Sequence, residues 1–98
     1  MAYANFVAED RRLSLLLVLK ETSGYSTNAF LLRDAVQSIY GHNASLDQVR
    51  NDLTWMAEQG LMTVIDLAGV MLAHLNAHGL DVAEGRAKVL GVKRPTPA

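Results

Sequence analysis

The sequence predicts a mainly helical domain with one β-hairpin. Three segments before residue 60 are rich in helix-forming residues, and their apolar positions recur every three or four residues. Between residues 61 and 75 the pattern changes to β-branched and apolar residues around a short turn. Half of the 98 residues are apolar, which suffices for one hydrophobic core, but the chain is too short for two domains. We therefore expect a single domain.

The first helix is expected over residues 5–21, which contain neither Gly nor Pro. Its second half is apolar on more than one face, so one face can pack inward while another meets a partner. Residues 26–28 are three consecutive candidates for a helix N-cap, and the second helix is expected from 28 to 40. Gly41 then supplies the left-handed residue that commonly ends a helix.

The third helix follows after a short connection, because Ser45 can cap it and Gly60 stops it. The apolar positions expected to share its inner face are Leu46, Val49, Leu53, Met56 and Ala57.

A β-hairpin is expected next, with strands over residues 61–66 and 70–75 around a turn at 67–69. Asn76 can cap a fourth helix, expected over about 77–89. These elements define a domain over residues 1–92.

The end of the sequence has two prolines, one basic pair and no apolar pattern, so we expect residues 93–98 to form a mobile tail. Helix, helix, short turn, helix, hairpin and closing helix is the element order of a winged helix-turn-helix domain, in which the hairpin is the wing.

Two segments carry a family resemblance. Residues 49–61, V-R-N-D-L-T-W-M-A-E-Q-G-L, resemble the end of the recognition helix in MarR-type and ArsR-type regulators, which reads L-x-x-L-x-x-x-G-L/V. Residues 75–79 are similar to the L-T-x-x-G with which those families leave the wing, with Asn76 in the place of Thr. The stretch from Leu31 to Arg94 also resembles small winged-helix proteins of Mu-like bacteriophages and prophages. The features that carry this second resemblance are Gly41-His42, residues 45–50, residues 55–61 and residues 91–95.

This resemblance implies a small phage protein that associates with double-stranded DNA or regulates transcription through the third helix, which enters the major groove in such domains. Outward polar side chains of that helix, together with the basic pair of the tail, are then the candidates for DNA contact. They are Ser45, Gln48, Arg50, Asn51, Thr54, Lys93 and Arg94. The same polar residues are equally expected on an ordinary solvated helix face.

Charge argues against strong DNA binding. The chain carries a net charge of −1, so no global positive field draws it to nucleic acid. Between residues 45 and 75, Arg50 is the one basic residue. The same stretch contains four acidic residues, which are Asp47, Asp52, Glu58 and Asp66. Phosphate neutralisation supplies much of protein–DNA affinity. The alternative is a winged helix that serves as a protein-interaction or assembly module, in phage morphogenesis or DNA packaging.

The apolar surplus of the first helix predicts a homodimer, with Phe6, Leu13 and Leu17 as candidate interface residues. Trp55 is a fourth candidate, because the helical wheel places it opposite the apolar stripe of the third helix. The alternative is that Trp55 folds over the hairpin and completes the core of its own chain. Another phage protein is a further possible partner.

Several classes of function are not expected. The chain has no Cys, which excludes disulfides and thiolate sites and suits the reducing cytoplasm of a bacterial host. Its longest apolar run, residues 15–19, is too short to cross a membrane. No catalytic motif is present, so we expect neither an enzyme nor a cofactor. His74, His78 and Asp81 have suggestive spacing, but the two His side chains fall on different elements, and no metal site is expected.

Overall fold

A computed structural model describes residues 2–96, and its elements follow the predicted order with two additions, a 3-10 turn and a short strand between the first two helices. A 3-10 turn, Ser23–Tyr25, separates the first helix from the first strand. The helices and strands, in chain order, are α1 (Ala2–Glu21), β1 (Ser26–Asn28), α2 (Ala29–Tyr40), α3 (Leu46–Glu58), β2 (Met62–Leu67), β3 (Val70–Leu75) and α4 (Ala77–Ala83).

The predicted caps set the ends of the middle helices. The Asn28 side chain accepts a hydrogen bond of 2.9 Å from the Leu31 amide and starts α2. Gly41 ends the same helix in the left-handed conformation, at φ 75°. The turn that follows brings α3 onto α2 after five residues, and Asn76 caps α4 by accepting from the Gly79 amide.

The sheet has three strands rather than the two of the expected hairpin. Its order is β1-β3-β2, and both pairings are antiparallel. Ser26, Thr27 and Asn28 pair with His74, Ala73 and Leu72. The expected hairpin is present as β2 and β3, and the strand that was not predicted is β1, because residues 26–28 form a strand in addition to supplying the cap. A two-stranded hairpin is marginal alone, and β1 joins this one to the start of α2.

Helix α4 is shorter than the expected 77–89. It ends at Ala83, and Gly85 follows in the left-handed region at φ 83°, where its amide donates to the Val82 carbonyl. The start of α4 is close to the end of α3, because Gly79 is buried against the backbone of Leu61. A β-carbon at Gly79 would overlap the Leu61 carbonyl oxygen, so this approach requires glycine.

One core joins all four helices and the inner face of the sheet. Its buried apolar residues are Leu13, Leu15, Leu16, Leu19, Ala29, Leu32, Val36, Val49, Leu53, Met56, Leu61, Met62, Ala73, Leu75, Val82, Ala83 and Val92.

The segment expected to be a mobile tail makes defined contacts where it is described. The Lys93 amide donates to the Glu9 carbonyl of α1 at 3.2 Å, and Arg94 donates to the Gly85 carbonyl at 3.4 Å. The mobility of this segment stays a prediction, and residues 97 and 98 lie outside the described residues.

Candidate functional site

Helix α3 begins with a capping box that occupies two of the candidate DNA contacts. The Ser45 hydroxyl accepts from the Gln48 amide at 3.1 Å, and the Gln48 side-chain oxygen accepts from the Ser45 amide at 3.0 Å. This reciprocal pair satisfies two of the free amides at the helix start. Ser45 and Gln48 therefore stabilise the start of α3 in the free protein.

Arg50 is bound to the hairpin. Its guanidinium donates to the Asp66 carboxylate and to the Gly69 carbonyl, each at 3.4 Å. Asp66 in turn accepts from the Gly69 amide at 2.9 Å, within a turn in which Ala68 and Gly69 have positive φ. We call the exposed side of α3, β2 and β3 the α3–hairpin surface. Its one basic residue, Arg50, is thus paired with an acidic residue on the same surface.

Asn51 and Thr54 are the candidates that remain open. Both side chains are exposed on α3. Within residues 2–96 neither makes a hydrogen bond to the protein, unlike the side chains of Ser45, Gln48 and Arg50. Asp47 and Glu58 are exposed on the same helix. The face of α3 is accordingly polar and acidic.

Asp52 does not lie on this face, although it was counted among the four acidic residues expected there. It is 3% exposed and accepts from Arg11 at 2.5 and 3.2 Å and from Arg12 at 3.1 Å. The α3–hairpin surface therefore carries Asp47, Glu58 and Asp66 against Arg50, a formal charge of −2 instead of −3. The sequence held a signal for this burial, because Asp52 lies three residues from Val49 and four from Met56, on the inner stripe.

Trp55 is half-buried and packs against the hydrophobic core of its own chain. The Arg12 guanidinium lies 4.4 Å from the centre of its ring, and a β-carbon on Gly91 would lie 2.6 Å from the ring edge. Arg12 also donates to the Gly91 carbonyl at 2.9 Å. Trp55 thus packs between α1 and the segment after α4. Its role in an interface stays a prediction.

The three interface candidates on α1 have different environments. Phe6 is 55% exposed and Leu17 is half-buried, but Leu13 is only 6% exposed. Leu13 packs mainly in the core of its own chain, and its role in an interface stays a prediction. Leu13 and Leu17 also line an open groove between α1, α4 and residues 93–96.

Lys93 contacts α1. Its ammonium group lies 3.2 Å from the Asp10 carboxylate, whose other oxygen is 2.7 Å from the His42 ring. Burial alone would raise the pKa of Asp10, but the hydrogen bonds and positive charges of His42 and Lys93 more than offset this and lower it below its ordinary value of 3.8. This cluster joins α1, the α2–α3 turn and the C-terminal segment.

The outer face of the sheet is apolar. We call it the wing face, and it consists of the outward residues of β2 and β3: Thr63, Ile65, Leu67, Val70, Leu72 and His74. Ile65 pairs with Leu72 and Leu67 pairs with Val70, so these four side chains share one side of the sheet. Ile65 is 57% exposed and Leu67 is 62% exposed. Adjacent exposed side chains of this kind are typical of an interaction site.

Between residues 2 and 96 no helix combines the length and the apolar character that a membrane crossing requires. Over the same range, no three His, Asp or Glu side chains are grouped so that they could hold a metal ion. His74 lies on β3 and His78 on α4.

The fold and these surfaces define a small, mainly helical domain with a three-stranded antiparallel sheet. Its sequence is 46% identical over 93 residues to the uncharacterized protein gp26 of Escherichia phage Mu, which covers 95% of each chain. The chain therefore belongs to the family of this phage protein, and the phage part of the resemblance is confirmed. It is also 38% identical over 81 residues to an uncharacterized protein of Haemophilus influenzae (strain ATCC 51907 / DSM 11121 / KW20 / Rd), covering 82% of this chain and 78% of the relative. No protein-family model and no solved structure match the sequence.

Proposed function

We propose that this protein is a winged-helix interaction module of Mu-type phages, which binds protein partners through apolar surfaces instead of reading DNA through α3. The helix-turn-helix arrangement of α2 and α3, followed by the hairpin, supports the winged-helix assignment. The Mu relative supports a role in a phage. Action in the host cytoplasm, without catalysis or a cofactor, is part of the proposal.

The pairing of Arg50 with Asp66 carries this proposal. A winged helix that binds DNA needs cations at the recognition helix or the wing, because phosphate contacts supply most of the non-specific affinity. Here the guanidinium of Arg50 is held by Asp66 and the Gly69 carbonyl, and exposed Ile65 and Leu67 lie on the same hairpin. An acidic and apolar surface suits a protein partner better than a phosphate backbone.

Transcription regulation through DNA is the second candidate function. The observation in its favour is the open polar pair on α3, Asn51 and Thr54, since an Asn side chain can pair with adenine through two hydrogen bonds. This reading requires Arg50 to leave Asp66 when DNA binds.

DNA binding is tested by fluorescence anisotropy with short duplexes that together cover the DNA of the phage, so that any specific site is present, at two salt concentrations. We expect no binding tighter than about 1 µM, because specific complexes reach about 10⁻⁸ M or better at physiological salt. Asp66→Asn, which releases Arg50 and removes one negative charge, should tighten weak binding more than Asp34→Asn, the control on α2. Submicromolar binding that weakens with salt and with Arg50→Ala would contradict the proposal.

Partner binding is tested with a photo-reactive phenylalanine analogue at Ile65 or Leu67 in cells that produce the phage. We expect one discrete protein adduct from either position and none from Gln37, an exposed control position on α2. Adding Asp at the neighbouring wing-face position should abolish the adduct without lowering the melting temperature, because both side chains are already exposed. Equal adducts at all three positions, or none at the wing face, would exclude that face as a docking surface.

A further inference from the structure

Helix α1 carries an apolar seam that its own chain covers only in part. The seam residues are spaced alternately three and four positions apart, the spacing of a heptad repeat, and are Tyr3, Phe6, Asp10, Leu13, Leu17 and Lys20. At its start, Tyr3 is 78% exposed and Phe6 is 55% exposed. Residues 2–6 are all exposed, so the beginning of α1 presents two aromatic side chains to solvent.

The second half of the same seam forms the floor of a groove. Leu13 and Leu17 lie in this groove of about 580 Å³, and its walls include Tyr40, Ala83 and Pro95. Its floor combines Leu13 and Leu17 with Ser14, and the charged side chains at its two ends are paired. Asp10 is paired with Lys93 at 3.2 Å at one end, and Lys20 with Glu84 at 3.9 Å at the other.

We propose that each groove receives the first two turns of α1 from a second copy, in a symmetric dimer whose α1 helices run antiparallel. Tyr3 of each copy then lies beside Leu17 of the other, and Phe6 lies beside Leu13 and Ser14. In this register the residue numbers of two facing positions add up to about 20. Position 10 therefore faces its own copy, and the twofold axis passes near Asp10. This inference rests on the proposed function, since it names one partner of the interaction module.

Self-complementarity favours a second copy over another occupant. One face of α1 supplies both the aromatic side chains and the floor of the groove, as a twofold interface requires. The Lys93 ammonium group lies 5.6 Å from the centre of the Phe6 ring, so the aromatic end of the seam adjoins the groove wall. Near the axis, each Asp10 is already neutralised by Lys93 of its own chain, so the dimer does not bring two unpaired carboxylates together.

The area is that of a small interface. A Phe or Tyr side chain buries about 150–250 Å² when it is covered from full exposure. Because Tyr3 is 78% exposed and Phe6 is 55% exposed, the four side chains and an equal area of surface that covers them give roughly 800–1,300 Å², which reaches the low end of the range for specific protein–protein interfaces.

The register is tested by disulfide formation. The chain has no Cys, so each introduced thiol is the only one in its chain. An equal mixture of Tyr3→Cys and Leu17→Cys proteins should form a mixed disulfide under mild oxidation, because a disulfide needs Cα atoms within about 7 Å. Tyr3→Cys mixed with Leu31→Cys, an exposed control on α2, should not. Efficient linkage of Tyr3→Cys to itself, without the mixed product, would overturn the antiparallel register.

The dimer is tested by light scattering with matched surface variants. We expect the mass of two chains for the natural sequence and for Leu31→Asp. Phe6→Asp should raise the dimer dissociation constant at least about 100-fold, since central aromatic residues dominate such interfaces. Its melting curve at low concentration should match that of the unmodified monomer. The mass of one chain for the natural sequence at about 100 µM would overturn this inference.

Failure of the dimer is distinct from failure of the proposed function. A dimer that survives Phe6→Asp and dissociates with Leu67→Asp would assign self-association to the wing face and refute the α1 groove. Salt-dependent DNA binding would refute the interaction module, whereas the α1 disulfide would still form.

Discussion

Replacing Asp52 tests the buried ion cluster that joins α1 to α3. Asp52→Ala leaves Arg11 and Arg12 facing each other without the carboxylate that accepts three hydrogen bonds at 2.5–3.2 Å. Breaking a buried ion pair by removing one partner typically costs about 3–5 kcal/mol. The two Arg side chains are 12% and 22% exposed and can recover some hydration, so we expect the lower end, about 3 kcal/mol.

This loss is large against the total stability of a domain of this size, roughly 5–15 kcal/mol. It corresponds to a fall in melting temperature of about 12–24 °C. The loss in the free energy of unfolding is measured by urea unfolding. The transition is followed by circular dichroism and by the fluorescence of Trp55, the one Trp of the chain. Asp47→Ala is the control, because this exposed acid in the first turn of α3 contributes less than about 1 kcal/mol. Equal effects of the two substitutions would refute the role assigned to Asp52.

Two further substitutions test local features. Gly79→Ala should destabilise the protein by about 1–3 kcal/mol in thermal unfolding, although Ala favours helix, because its β-carbon overlaps the Leu61 carbonyl oxygen. His78→Ala, at the exposed neighbouring position, is the control, and a Gly79→Ala protein as stable as that control would show that α4 packs differently. Since the pKa of Asp10 is lowered by folding, its carboxylate contributes stability above pH 3.8, and this contribution is lost as the pH falls through the lower folded pKa. Urea unfolding should therefore show that Asp10→Asn is less stable than the natural sequence at pH 7 and that the difference shrinks below about pH 4; a constant difference would contradict the assignment.

Local signals in the sequence account for most of the helical structure. Asn28, Ser45 and Asn76 cap the helices that they were expected to cap, and Gly41 ends α2 as predicted. These features depend on a few neighbouring residues, so they can be read from short windows of sequence.

The features that sequence reasoning missed depend on distant partners. Strand β1 has only three residues, too few for a period-2 pattern, and it forms because β3 presents a free edge. The burial of Asp52 depends on its partners Arg11 and Arg12. The position of Asp52 on the inner stripe of α3 indicates burial, but a charged residue is not normally expected to be buried. The excess of apolar residues in α1 indicated the seam before the structure was known. The groove beside the seam could not be predicted, because it depends on where α4 and residues 93–96 lie.

The contacts between the two ends of the chain have a consequence for the timing of folding. Arg12 and Gly91 are 79 residues apart, and Asp10 and Lys93 are 83 apart, so their hydrogen bonds close nearly the whole chain into a loop. Contacts of such high sequence separation form late, because the entropy of loop closure is lost before they are made. During synthesis, α1 leaves the ribosome long before residues 93–95 complete its groove. In the proposed dimer, Tyr3 and Phe6 of a nascent chain would therefore be exposed before any copy has a complete groove, and pairing would follow the synthesis of residue 95.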